Sequence, residues 1–128
     1  MPHSKFNDRV IKIVCLAPLG SIVSYGQVAL MVGTPRAGLQ VGGVLNKLDE
    51  TADVPWWRVI NNSGRISIKG SDFSARDQKE RLEAEGVVVS NKLKIDIEKY
   101  RWRPDTSLLK SLELDEEYLA QLVLKYSL

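Results

Sequence analysis

At 128 residues the chain can fold as one domain with a sizeable core, and 44% hydrophobic with 27% charged residues is typical of a globular protein. A single cysteine excludes an internal disulfide framework, and a single histidine excludes a clustered zinc site. No stretch approaches the roughly 20 apolar residues that a membrane span needs, so we expect an intracellular protein.

The net charge of +2 is unevenly distributed. Residues 1–104 contain 16 basic and 11 acidic side chains, a balance of +5, whereas residues 105–128 contain 2 and 5, a balance of −3. A basic body with an acidic tail suits a domain that binds a polyanion and carries a separate segment. Ordinary scatter of charge is the alternative.

The first predicted element is an amphipathic helix that begins near Ser4 and ends at Pro18 and Gly20. Its apolar residues recur at spacings of three and four, the period of a helix packed on a core. They are Phe6, Val10, Ile13, Val14 and Ala17. Cys15 lies on this helix, where we expect a small buried hydrophobe and not a nucleophile.

Two further helices follow at close spacing. Ser24 is the predicted N-cap of a helix from Tyr25 to about Val32, and Gly33-Thr34-Pro35 is the turn. A third helix is predicted over residues 36–48, with glycines that permit close approach to another backbone. Helix, tight turn and helix together predict a helix-turn-helix unit, although a plain helical hairpin has a similar pattern.

The segment 54–60 contains two adjacent tryptophans, Trp56 and Trp57, between Pro55 and Arg58. Its aliphatic flanks predict a short strand. Because successive strand side chains point to opposite faces, one indole should face a cavity, a ligand or solvent. The segment is therefore a candidate site.

The rest of the body alternates turns with short apolar runs. The pattern predicts a hairpin of 58–60 with 65–68, a charged helix from Asp72 or Ser74 to Glu85, and a hairpin over 87–97. Beyond Pro104, helical rows of apolar residues begin after Asp115. We expect this helix to dock on its own domain, the alternative being a helix that binds a partner.

Several motifs stand in a specific order along residues 4–104. They are the runs 18–29, 35–37, 40–42, 55–60 and 81–87, with Gly33 and Gly64 between them. In this order they resemble the DNA-binding domain of O6-alkylguanine-DNA alkyltransferases. The resemblance implies a mostly α fold with small β hairpins: a winged helix-turn-helix-like DNA-binding domain at 1–104. Residues 105–128, without counterpart in the family, are predicted to form an acidic, helical C-terminal extension.

The reactive motif of the family is altered here. The enzymes carry Pro-Cys-His-Arg, with a Glu that orients the His; this chain has Trp56 at the Cys position, Trp57 at the His position and Glu85 at the Glu position. Indole supplies neither a thiolate nor a usable base, so alkyl transfer lacks both nucleophile and activator. We therefore expect no enzyme activity and no cofactor.

The resemblance, with this substitution, implies an alkyltransferase-like protein. Such a protein binds duplex DNA containing O6-alkylguanine as a monomer, flips the nucleotide into a pocket, and flags it for nucleotide excision repair proteins. Extrusion is needed because a stacked base cannot be enclosed from the groove. The alternative is a general winged-helix DNA-binding or partner-recruiting module whose lesion pocket is vestigial.

The resemblance also implies roles for individual residues. The expected lesion pocket consists of Trp56, Tyr25, Arg58 and Lys69, and the expected DNA-binding residues are Ser24, Tyr25, Arg36, Leu39, Gln40 and Gly42. Simpler alternatives remain for three of them: Ser24 as a helix cap, Arg58 as a structural ion pair, and Lys69 as a solvated loop residue. Trp57 is expected to be a packing residue.

One position departs from the family pattern. The family inserts an Arg into the duplex in place of the flipped base, and the aligned residue here is Leu39. An apolar wedge can hold base steps apart, but it adds no cationic attraction. Arg36, three residues earlier, could supply the charge.

Overall fold

The computed structural model describes residues 5–48, 51–66 and 75–127. Seven α-helices are described in these ranges: α1 (Lys5–Leu16), α2 (Tyr25–Val32), α3 (Gly38–Asn46), α4 (Ala75–Ala84), α5 (Ile97–Tyr100), α6 (Thr106–Lys110) and α7 (Glu116–Leu122). A 3-10 turn (Trp56–Arg58) precedes a strand, and a π-helical turn (Val123–Ser127) extends α7. None of these helices is long and apolar enough to cross a membrane. The expectation of a mostly helical fold is confirmed.

Helix α2 forms as its capping residues predict. The Ser24 hydroxyl accepts a hydrogen bond from the N–H of Gln27 at 3.0 Å, which satisfies one of the donors left over at a helix start. Gly33 closes the helix at a φ of +95°, a left-handed conformation that glycine adopts without steric penalty. Helix α3 then packs on α2 and α1, which completes the predicted helix-turn-helix.

Helix α3 is shorter than the predicted range of residues 36–48. Val41 and Leu45 are buried, but Leu39 is 87% exposed and lies on the outer side of the helix. Near the start of the helix, Gly38 and Gly42 face the Tyr25 side chain, where a Cβ on either would be 3.8 Å from it. A Cβ at that distance would make ordinary van der Waals contact, so the packing of α3 on α2 does not require these two glycines.

The strand pairing differs from the predicted hairpins. Strand β1 (Val23–Ser24) pairs in parallel with β2 (Val59–Ile60), so 58–60 joins the helix-turn-helix and not the chain that follows it. Residues 64–66 instead bond to residues 93–95: Ile66 N–H donates to Leu93 O at 2.9 Å, and Ile95 N–H to Gly64 O at 2.8 Å. Part of the predicted partner run, 67–68, lies outside the described residues.

The two tryptophans stand in the 3-10 turn and not in a strand, so the alternation argument for them was wrong. Buried Gln78 of α4 fixes this turn, because its side-chain N–H group donates to Trp57 O at 3.1 Å and to Val59 O at 2.9 Å. The turn is thereby held between β2 and α4.

The interior consists of two apolar clusters. The larger lies among α1, α2 and α3 and includes Trp56 and Trp102; the smaller is built around Ile22, Ile60 and Leu82. Trp57 packs against both clusters. Cys15 is exposed, so its predicted burial was wrong: it lies on the outer side of α1, whose buried side is formed by Val10, Ile13 and Val14.

Residues 105–127 pack on the body. Leu109 of α6, Leu122 of α7 and Tyr126 of the π turn belong to the larger cluster. The Tyr118 hydroxyl donates a hydrogen bond to the carbonyl of Leu30, near the end of α2. The apolar residues of the extension therefore contact the helix-turn-helix directly. The extent of residues 105–128 as a separate segment stays a prediction.

Candidate nucleic-acid interface

Glu85 is the centre of a hydrogen-bond cluster beneath the tryptophan turn. Its Oε2 accepts from Trp57 Nε1 and from Arg58 Nη2, both at 2.8 Å. Its Oε1 accepts from Arg58 Nε at 2.9 Å and from Gly20 N–H at 3.1 Å. The Arg58 guanidinium also donates to Ala17 O at 2.7 Å. The cluster ties the turn to the loop that follows α1 and to the residue that follows α4.

The Glu85 carboxylate is stabilised in its charged form. Burial alone would raise its pKa, but the hydrogen bonds from Arg58, Trp57 and Gly20, with the Arg58 charge, outweigh burial and hold the pKa below its ordinary value. The Arg58–Glu85 contact is bidentate, and the two side chains are only 12% and 9% exposed. Arg58 thus has the structural ion pair that was its alternative role, and its pocket role stays a prediction.

The two indoles meet edge to face. Their ring centres are 6.0 Å apart at an interplanar angle of 88°. The Arg81 guanidinium lies 5.0 Å from the centre of the Trp57 ring and 5.6 Å from that of Trp56, and the Arg58 guanidinium lies 5.5 Å from Trp57. Trp57 is therefore held by packing, by two cations and by Glu85, in agreement with its predicted packing role.

Neither a thiolate nor an imidazole is available at this turn. Trp56 and Trp57 occupy it, and the described part of the chain contains no cluster of metal-binding side chains. Cys15 is in α1, and partial burial together with the negative charge of Asp53 raises the pKa of its thiol. A raised pKa means less thiolate at neutral pH, so Cys15 is not an activated nucleophile.

A cleft of about 680 Å³ lies on the outer side of the helix-turn-helix. Tyr25 and Leu39 border it, together with Gly42. The Tyr25 ring is partly buried, and this burial raises the pKa of its hydroxyl, which stays protonated at neutral pH. The volume is within the range of small-ligand sites in proteins.

The remaining predicted site residues in the described ranges do not line this cleft. Arg36 and Gln40 are exposed, one just before α3 and the other on it. Ser24 is buried and caps α2, which is its alternative role. Lys69 lies outside the described residues. Trp56 is 6% exposed and belongs to the larger core cluster, so its function as a pocket wall stays a prediction.

Sequence reasoning treated Asn61 and Asn62 only as turn residues. Both line the cleft, and Asn46 of α3 lines it from the other side. The Asn62 side chain accepts a hydrogen bond from Gly26 N–H at 3.0 Å, and that of Asn61 accepts from Arg65 N–H at 2.8 Å. In the sequence, the only indication of this role was the pair of adjacent asparagines directly after β2.

Leu39 provides a first test of this surface. Replacing it with Ala removes an exposed apolar side chain. If that side chain acts as the expected wedge, binding to a lesion-containing duplex should be roughly tenfold weaker, with the free energy of unfolding changed by less than about 0.5 kcal/mol. Leu39→Arg should bind more tightly than the parent because it adds a cation. Fluorescence anisotropy titration measures the DNA affinity of both variants.

Leu19→Ala is the matched control, since Leu19 is also exposed, at 71%, but lies in the loop between α1 and β1 and not on α3. It should bind the duplex like the parent. Unchanged binding by Leu39→Ala would mean that this helix does not enter the duplex in the expected way.

Comparison with known proteins agrees with this fold. The family model of the 6-O-methylguanine DNA methyltransferase DNA-binding domain matches residues 5–87. The DNA base-flipping protein of Escherichia coli K12 is 47% identical over 100 residues, 78% of this chain and 76% of that protein. Alkyltransferase-like protein 1 of Schizosaccharomyces pombe is 36% identical over 108 residues, 81% of this chain and 100% of that protein.

Among solved structures, S. pombe Atl1 in complex with damaged DNA containing O6-carboxymethylguanine is similar, with a TM-score of 0.75 and 36% identity. The match covers 81% of this chain and 100% of that one. The matched family model and the similar fold thus define a DNA-binding domain of the methyltransferase class. The chain belongs to that 6-O-methylguanine DNA methyltransferase DNA-binding-domain family, and within it to the alkyltransferase-like proteins.

Proposed function

We propose that the protein is a non-enzymatic DNA-damage sensor that binds O6-alkylguanine in duplex DNA by flipping the damaged nucleotide. One observation carries the proposal: the family's reactive turn is present and anchored to Glu85, yet Trp56 and Trp57 occupy it. An indole cannot accept an alkyl group as a thiolate does. The turn is therefore unsuited to alkyl transfer.

Two relatives support the DNA partner. One is named a DNA base-flipping protein, and the other is solved in complex with DNA containing O6-carboxymethylguanine. The basic body of this chain, with a balance of +5 over residues 1–104, favours the same partner through phosphate contacts. Exposed Arg36 would add such a contact beside α3.

Flipping a base requires a balance of energies. Unstacking costs a few kcal/mol, and stacking of the flipped base on an aromatic side chain returns about 1–3 kcal/mol. Tyr25, at the edge of the cleft, can provide that contact, and Leu39 can fill the vacated position in the stack. Lesion binding in this scheme needs no metal or cofactor.

The protein would act as a monomer inside the cell, in the cytoplasm and nucleoid of a prokaryotic host or in the nucleus of a eukaryotic one. Because it does not remove the alkyl group, its benefit depends on other proteins, and we propose nucleotide excision repair proteins as the partners that follow. Those proteins would recognise the complex of this protein with the damaged duplex.

A second function is favoured by one observation. Trp56 is buried in the core cluster, which is the arrangement expected for a general winged-helix DNA-binding or partner-recruiting module with a vestigial pocket. In that case the duplex would bind through the helix-turn-helix and its phosphates alone. The two functions differ in whether the affinity for DNA depends on the lesion.

Competition binding with two duplexes distinguishes them. We expect a duplex with one O6-methylguanine to bind at least about tenfold more tightly than the same duplex with guanine, because a lesion that pairs poorly is cheaper to extrude. The titration is performed at physiological salt, since phosphate contacts dominate at low salt. Equal affinities would reject the sensor and leave the general module.

A further inference from the structure

A second cleft, of about 450 Å³, opens between the start of α2 and the end of the C-terminal extension. Four described segments that are distant in sequence line it, and one of them contributes Asn62. Ser24 and Gln27 come from the helix-turn-helix, Arg101 and Arg103 from the segment after α5, and Lys125 from the π turn. The cleft therefore exists only where the extension meets the body.

The charges in this cleft are mainly positive. Arg101, Arg103 and Lys125 line it, opposed by the single carboxylate of Glu98. Glu98 is 3.5 Å from Arg103, but their side chains are 77% and 45% exposed, so water and salt screen this pair. The net positive charge of the lining attracts an anion.

The cation at the base of the cleft is held in place. Gln27 is fully buried; its side-chain N–H group donates to Trp102 O at 2.9 Å, and its Oε1 accepts from Arg101 Nη1 at 3.1 Å. Arg101 has five N–H donors, of which this bond uses one. A guanidinium fixed in this way keeps donors for a phosphate and loses little entropy on binding it.

Tyr126 joins the extension to these cations. Its buried ring has the Arg101 guanidinium 5.7 Å from its centre on the body side and the ammonium of Lys125 5.7 Å from its centre on the extension side. Cation–π contacts at this distance restrain both charges. The extension thus delivers one cation to a site that already contains two.

The position of the cleft identifies its ligand. Asn62 lines both this cleft and the one beside Tyr25 and Leu39, so the two are adjacent on one surface. We propose that the basic cleft binds a backbone phosphate of the same duplex, with Lys125 as a contact contributed by the C-terminal extension. This inference rests on the proposed DNA binding and extends it to a segment beyond the family motifs.

The test compares Lys125→Gln with Lys110→Gln. Both remove one positive charge from the extension at an exposed position, but Lys110 ends α6 and is not part of the cleft. Binding to lesion and control duplexes is titrated at several salt concentrations. Lys125→Gln should weaken both by roughly threefold to tenfold and reduce the salt slope by about 1, the value for one phosphate contact.

Lys110→Gln should retain the parent slope. An unchanged slope for Lys125→Gln, or an equal reduction in both variants, would overturn the proposal, the latter because it indicates net charge alone. A phosphate contact is independent of the lesion, so the slopes test the cleft even if the parent shows no lesion preference. Free phosphate is the other ligand that this cleft could bind, and calorimetric titration with inorganic phosphate tests it. If Lys125→Gln loses phosphate binding but keeps the salt slope for DNA, the proposal of a DNA phosphate contact is overturned.

Discussion

Replacing Trp56 with Ala should lower the free energy of unfolding by about 3–5 kcal/mol, because it removes a buried indole from the larger core cluster and leaves a cavity. Small domains are stable by only about 5–15 kcal/mol, so the variant should be close to unfolding. The loss also removes the edge-to-face contact with Trp57 and the Arg81 contact. Urea denaturation followed by circular dichroism measures it.

Trp56→Phe separates folding from recognition. It keeps an aromatic ring and should cost about 1–2 kcal/mol, which leaves a folded protein for binding studies. Trp102→Phe is the matched control, since Trp102 is equally buried at 6% in the same cluster. If Trp56 is a pocket wall, Trp56→Phe reduces lesion preference and Trp102→Phe does not. Equal preference in both would make Trp56 a core residue and favour the vestigial pocket.

Glu85→Gln should destabilise the protein by about 3 kcal/mol, because Arg58 would remain as a buried charge without its carboxylate. The amide would also direct its own N–H group at donors from Arg58 and Trp57. Glu80→Gln breaks an ion pair with Arg76 in which the side chains are 63% and 88% exposed, and should change stability by less than about 0.5 kcal/mol. A similar small change for Glu85→Gln would show that the cluster is not a structural anchor.

The same cluster predicts how stability depends on pH. The folded-state pKa of Glu85 is below its ordinary value of 4.5, so the unfolded chain binds this proton more readily. Its contribution is present above pH 4.5 and is lost as the pH falls through the lower folded value. The stability difference between parent and Glu85→Gln should therefore be constant at neutral pH and shrink in acid. A difference that grew in acid would contradict the ionised carboxylate.

The helix-turn-helix was predictable because its determinants are local. Ser24 bonds three residues ahead and Gly33 adopts its left-handed conformation within the turn, so short sequence patterns contain the information. The buried side of α1 was predictable from the helical period of its apolar residues. The exposure of Cys15 was not predicted, because an apolar neighbour one turn away does not fix which side of the helix a residue faces. Leu39, which the resemblance places among the expected DNA-binding residues, is 87% exposed on α3.

The strands could not be read from local sequence. Each has two residues, and β2 pairs with β1, which lies far earlier in the chain. The tryptophan turn is set by distant contacts as well, since Gln78 binds its carbonyls and Glu85 its side chains. The resemblance identified Glu85 as the third motif position; its bonds to Trp57 and Arg58 required the structure.

We propose above that this domain holds the lesion and does not repair it. The most direct measurement isolates the complex formed with a duplex whose O6-alkyl group carries a radioactive label, then separates protein from DNA under denaturing conditions. The account predicts that the label is enriched in the complex over unbound DNA and stays entirely on the DNA strand. Label transferred to the protein, or a complex with no preference for the labelled duplex, would contradict it.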